Sequence, residues 1–266
     1  MIRRHLKSVG KVVMVLSGKG GVGKSVVSAT LAAQLARAGK RVGLIDADVY
    51  GPSAALLFNS TSLPEEKEEG LTPPMVRGVK LMSVDLFASG RPIPLTGHGA
   101  SQLILELLAL TDWGELDFLI VDMPPATGDI MLTLTSVGRE QLEAVVVTMP
   151  DMLSTSVAHR VLELLHSGGI PTMGVLENMS RPSQGHTAEG ERGARALARE
   201  FGVKFLGAIP FDSRITEAVD KQDIGALLAT GFAKELRLSV ASRLLNSTGR
   251  RTTPPPRGVR RGRITT

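Results

Sequence analysis

The sequence predicts an α/β fold, with a mostly parallel central sheet of seven or eight strands and helices on both faces. Three observations carry this. Short apolar runs rich in β-branched residues recur along the chain, as buried strands require. Segments with apolar residues at helical spacing lie between them, and such alternation builds a parallel sheet covered on both sides. A glycine-rich turn joins the first apolar run to the first helical segment.

The elements follow in order. Residues 12–17 read as the first buried strand. Residues 25–37 carry Val26, Ala29, Ala33 and Ala36 at helical spacing, and Gly39 stops that helix. Residues 41–45, 118–121, 144–148, 172–176 and 205–209 read as further strands. Helical patterns fall at 101–110, 154–166, 194–201 and 232–245, the last as one continuous helix. Residues 60–78 hold Pro64, Pro73, Pro74 and an acidic cluster at 65–69, so an exposed excursion is expected there. Sites in such sheets lie at the carboxyl ends of the strands.

With 266 residues, 42% of them hydrophobic, one domain over residues 1–246 is expected. Aromatics are only 3%, so its core must be aliphatic. There is no Cys, which excludes disulfides, thiolate metal ligands and cysteine nucleophiles from this chain. That absence fits a reducing interior, and a cytoplasmic location is expected. Residues 1–11 are short and basic and lead into a strand, so no secretory signal is read there. No apolar run reaches the roughly 18 residues a membrane span needs, so no membrane contact is expected.

The net charge of +5 belongs to one end. Residues 247–266 hold six Arg and no acid, and removing those six charges leaves −1 for residues 1–246. With Pro254, Pro255 and Pro256 and few apolar residues, this stretch reads as a disordered basic tail. The prolines and the lone Val259 and Ile264 argue against an amphipathic membrane anchor. Its arginines could hold nucleic acid electrostatically, although such tails are more often solvated extensions.

Gly18-Lys19-Gly20-Gly21-Val22-Gly23-Lys24-Ser25 matches the GxxxxGK[ST] phosphate loop, which makes the predicted fold a P-loop NTPase. Backbone N–H groups must wrap closely around phosphate oxygens there, and the following helix adds its positive end. Lys24 is expected on the β- and γ-phosphates of ATP, and the Ser25 hydroxyl on Mg²⁺. Lys19 is either a solvated lysine or a cation that reaches phosphates, those of a partner subunit included. Asp122 ends an apolar strand and is the expected partner of Mg²⁺ through water. Asp46 and Asp48 close another strand. Alternation points both to one side, so one could activate water while the other supports the metal.

SGKGGVGKS (17–25), DADVYGPS (46–53), DWGELD (112–117), DMPPATGD (122–129) and ENMS (177–180) together resemble the Mrp/ApbC family of P-loop ATPases. That family stands in the deviant Walker A group with MinD, ParA and the nitrogenase iron protein. The resemblance runs from about residue 10 to 246. It implies an ATPase that carries or assembles iron–sulfur clusters and works as an ATP-dependent homodimer. It makes Lys19 the lysine that reaches the other subunit's nucleotide, and Lys24 and Ser25 the loop lysine and magnesium ligand. Asp48 becomes the residue that activates water, Asp46 lies near the metal, and Asp122 is the Walker B aspartate. Asn178 faces the adenine edge, and Pro210 to Asp212 border the base.

The sequence departs from this family's pattern in several places. A Cys-x-x-Cys pair usually follows ENMS and bridges a cluster between subunits; here residues 181–186 follow, ending in His186, and no thiolate exists. Val26 stands where Thr is usual, residues 95–100 replace a Trp-Arg-Gly-Pro run, and Ala126 replaces Gly. The expected function is thus an Mrp-type ATP switch whose cluster ligands come from elsewhere, a heteromeric partner with cysteines being one source. The alternative is a MinD- or ParA-like positioning ATPase acting through a protein or nucleic-acid partner.

Overall fold

A computed structural model describes residues 2–88, 97–124, 128–135, 139–180 and 193–247. Its strands are β1 (Val9–Leu16), β2 (Val42–Asp46), β3 (Glu65–Lys67), β4 (Gly70–Thr72), β5 (Met75–Val76), β6 (Val79–Ser83), β7 (Leu116–Asp122), β8 (Leu142–Thr148), β9 (Thr172–Ser180) and β10 (Lys204–Pro210). Eight of them form one sheet in the order β10-β9-β8-β1-β7-β2-β6-β5, and β3 and β4 form a separate hairpin. Every pairing in the large sheet is parallel except that of β5 with β6. The expected sheet of seven or eight strands is therefore found.

The central strands are apolar on both faces, and alternation sorts their side chains into two cores. Val13 and Val15 of β1 join Phe118 and Ile120 of β7 beneath the Lys24–Arg37 helix and the C-terminal helices. Val12, Met14 and Leu16 join Leu119 and Val121 beneath the Gly97–Leu110 and Met152–Ser167 helices. The six strands read from the sequence are all present. Strands β5 and β6 are additional, because Lys80 interrupts the apolar run of β6 and β5 has only two residues. The Lys80 ammonium leaves the sheet and donates to the Trp113 carbonyl at 2.6 Å.

Two segments differ from expectation. The excursion over residues 60–78 is exposed at β3, as its charge dictates, yet it folds back as the β3–β4 hairpin and β5. Leu71 of that hairpin bridges to Thr111. The expected helix over 232–245 is interrupted. Helix Gly231–Leu236 passes into a π-turn, Arg237–Ala241, before helix Ser242–Ser247. One extra residue in a helical turn is a π-bulge, a form frequent at functional sites. The basic tail lies outside the described residues beyond Ser247.

Candidate functional site

Strand β1 ends at Leu16, and the chain turns through residues 17–23 into the Lys24–Arg37 helix. The Ser17 hydroxyl donates to the Lys19 carbonyl at 3.0 Å and tightens the turn. Gly21 and Gly23 have φ of +79° and +84°, where a side chain is strained. A Cβ on Gly18 would lie 2.6 Å from the Val157 carbonyl carbon, so the Met152–Ser167 helix presses on the loop from behind. Gly20 is different. A Cβ there would meet nothing within 4 Å, and its φ is ordinary. Nothing in the protein demands glycine at this exposed position, whereas a phosphate drawn against the backbone does.

Behind the loop lies a buried charge cluster. Lys24 Nζ is 2.6 Å from Asp122 Oδ1 and 3.4 Å from Ser25 Oγ. Lys24 and Asp122 are 7% and 1% exposed, so the pair is withdrawn from water. Ser28 donates to the same Asp122 oxygen at 2.9 Å. Asp122 Oδ2 is buried without a hydrogen-bond partner. A buried carboxylate oxygen left unmatched beside a serine hydroxyl suits an oxygen-seeking cation such as Mg²⁺ or its bound water.

Asp46 is the cross-strand neighbour of Asp122 in the β2–β7 register. Burial pushes its carboxyl up to about 7, and the charge of Asp122 adds to the rise. Three backbone N–H groups oppose it: Asp48 donates to Oδ1 at 3.1 Å, and Ser53 and Ala54 donate to Oδ2 at 2.7 and 2.9 Å. Asp46 thus organises the turn that carries Asp48. Strand β2 stops at Asp46, so strand alternation does not govern Asp48. The half-buried Asp48 carboxylate accepts from the Gly51 N–H at 3.2 Å instead.

Lys19 is half-buried in the loop. Its charge acts on Asp151, whose carboxyl is held below the usual range first by hydrogen bonds from the Ser154 hydroxyl and amide, with Lys19 adding a smaller pull. Asp151 caps the helix that backs Gly18.

The residues expected around the base come together as well. Gly23, Val26, Asn178, Pro210, Phe211 and Asp212 share a small cavity of about 70 Å³. Asn178 is 4% exposed, and its amide donates to the Val22 carbonyl at 2.9 Å. In this state it braces the phosphate loop. Asp212 is bound by Arg214, whose side chain donates to both carboxylate oxygens at 2.9 and 2.7 Å. Met179 follows Asn178 with φ of +55°, an uncommon value for a side chain, stored beside the site.

Sequence reasoning did not single out Ser28, Val157 or Asp151. Ser28 stands four residues after Lys24 on one helix face, so helical spacing could have found it. Val157 and Asp151 arrive through tertiary packing and leave no local signal. His186, Ala126 and residues 95–96 lie outside the described residues.

The chain matches the family described as "ParA: NUBPL iron-transfer P-loop NTPase" over residues 8–243. It is 36% identical over 225 residues to the iron-sulfur cluster carrier protein of Rickettsia conorii, covering 82% of this chain and 67% of that protein. It is 40% identical over 223 residues to the protein of the same name from Deinococcus radiodurans, covering 81% and 63%. A solved nucleotide-binding protein from Archaeoglobus fulgidus, in complex with ADP, superposes with a TM-score of 0.68 at 34% identity, covering 84% of this chain and 90% of that one. The septum site-determining protein MinD of Pyrococcus horikoshii, complexed with Mg-ADP, has a TM-score of 0.66 at 19% identity, a likeness of fold alone.

Proposed function

Since this chain belongs to the NUBPL-type iron-transfer P-loop NTPases of the ParA group, we propose that it is an ATP-hydrolysing switch serving iron–sulfur cluster assembly or transfer. The observation that supports the motor half is the Lys24–Asp122 pair with its unmatched Asp122 Oδ2. In this reading ATP enters over Gly20 and Gly21, and Lys24 leaves Asp122 for the β- and γ-phosphates. Ser25, Asp122 and Asp46 would hold Mg²⁺, which would neutralise charge developing on the phosphates. Asp48 orients the attacking water. Lys19 reaches the nucleotide of a second copy in an ATP-dependent homodimer, so turnover needs two chains. Val26, Asn178, Pro210 and Asp212 border the adenine, with Asn178 shifting from Val22 when base binds.

The cargo half differs. Clusters are held mainly by thiolates, and this chain has no Cys. A cluster that it handles draws its ligands from a cysteine-bearing partner in a heteromer. His186 alone is a poor substitute. Such work belongs in a reducing cytoplasm. No helix among the described residues is long and apolar enough to cross a membrane. The MinD-like positioning role has less support, since those neighbours share the fold alone.

Anaerobic reconstitution of the pure protein, followed by ATP turnover and by iron and acid-labile sulfide per dimer, tests the reading. Turnover without stoichiometric cluster is expected. Absence of ATP binding or turnover overturns the motor assignment. A stable cluster on this chain alone overturns the assignment of its ligands to a partner.

A further inference from the structure

Among the described residues two groups donate to the Asp122 carboxylate, and both act on Oδ1: the Lys24 ammonium at 2.6 Å and the Ser28 hydroxyl at 2.9 Å. Ser28 is 1% exposed on the Lys24–Arg37 helix. Alanine fills nearby buried positions of that helix at 29, 32 and 33. Alanine is also the better helix former, and a buried hydroxyl is costly unless it is bonded. Packing alone therefore gives no reason for serine at 28. The hydroxyl has one proton and two acceptors in reach, because the Lys24 carbonyl one turn back lies at 3.1 Å. That carbonyl is the ordinary partner of a serine inside a helix. While Lys24 sits on Oδ1, either acceptor serves. The balance changes when Lys24 swings to a phosphate. Asp122 is 1% exposed, so its Oδ1 would then meet neither water nor ammonium. Its cross-strand neighbour Asp46 offers no donor, since both of its oxygens accept from the amides of residues 48, 53 and 54. Ser28 is the donor left in range.

We propose that Ser28 is a positioning residue that takes Asp122 over from Lys24 when ATP binds. This rests on the reading in which Lys24 leaves Asp122 for the β- and γ-phosphates. The hydroxyl then gives its proton to Oδ1 alone. A buried carboxylate stays bonded, so the release of Lys24 costs less. The carboxylate is also held by one oxygen, which leaves the unmatched Oδ2 for Mg²⁺ or its bound water. Ser28 itself touches neither nucleotide nor metal in this account. It acts through Asp122, and its effect on ATP is an effect on what Lys24 leaves behind.

The test is calorimetry of ATP against the full chain, in Mg²⁺ and again in EDTA. Ser28→Ala should weaken ATP by about tenfold, the scale of one hydrogen bond to a charged group. The loss should persist in EDTA, because it concerns the exit of Lys24 and not the metal. Ser28→Thr keeps the hydroxyl and should bind within about threefold of wild type. Urea unfolding of nucleotide-free Ser28→Ala should match wild type, because Lys24 still holds Asp122 there. In an Asp122→Asn background no charge is left unpaired, so adding Ser28→Ala should change ATP affinity by less than about twofold. Ser28→Cys keeps the volume with a weaker donor, and it serves the same comparison should Ser28→Ala unfold. A wild-type chain that does not bind ATP overturns the motor reading itself. Wild-type binding with equal affinity in Ser28→Ala overturns this inference alone. A loss seen only with Mg²⁺ also overturns it, placing Ser28 on the metal shell. An equal loss in the Asp122→Asn background overturns it as a packing defect.

Discussion

Lys24 Nζ lies 2.6 Å from Asp122 Oδ1, and both side chains are withdrawn from water. The loop lysine therefore has an internal partner before any phosphate arrives. A buried ion pair is expensive to break from one side, because the remaining charge is left uncompensated. Asp122→Asn should destabilise the nucleotide-free protein by about 3 kcal/mol, read by urea denaturation. Lys24→Ala should abolish ATP binding, read by calorimetry. Normal stability in the Asp122 variant would show that the pair is not held in solution.

Gly18 and Gly20 separate packing from ligand approach. Gly18→Ala sets a methyl 2.6 Å from the Val157 backbone, so the loop or helix must shift. It should cost about 1–3 kcal/mol of stability and weaken ATP as a consequence. Gly20→Ala meets nothing within 4 Å. Its stability should stay within about 0.5 kcal/mol of wild type, while ATP affinity falls because the methyl stands where phosphate approaches. Equal ATP affinity in Gly20→Ala would remove that reason for its glycine.

Asp46 gives a pH signature. Its folded carboxyl lies near 7 against an ordinary 3.8, so the native state binds the proton more tightly than the unfolded chain. Its stabilising share is complete below about 3.8 and is lost as pH rises through about 7. In chelator and without nucleotide, the Asp46→Asn variant should show a smaller fall in unfolding free energy between those limits than wild type. Parallel pH profiles would remove the burial account.

The two turnover residues should fail in different ways. Asp48→Asn should keep ATP binding and lose about 10²–10⁴ in rate, as expected for a group that activates water. Lys19→Ala should keep binding in the monomer and lose about 10³–10⁵ in rate, as for a cation supplied in trans. Mixing Lys19→Ala with Lys24→Ala should then recover no more than one working site per dimer. Full turnover by either single variant sinks the corresponding role.

Much of this was readable in the chain. Each strand with an unbroken apolar run announced itself, and the phosphate loop gave its own position. Strand β6 did not, because Lys80 reads as polar until the Trp113 carbonyl that receives it is known. The place of Asp46 was legible and its work was not. Three N–H donors from residues 48–54 converge on it only after the turn closes. The 232–245 pattern reads as one helix because a π-turn keeps the apolar residues on nearly the same face. Contacts such as Val157 on Gly18 connect residues far apart in sequence, and no spacing rule reaches across that distance.

The pairing of Asp46 with Asp122 is a matter of strand register, and register is indivisible. A slip of one residue between β2 and β7 would send one carboxylate to the opposite face and turn both cores inside out. Insertions and deletions in those two strands should therefore be lethal to fold and site together. Residues 61–63, exposed ahead of β3 and lying between those two strands in sequence, are free of that constraint, so length variation belongs there.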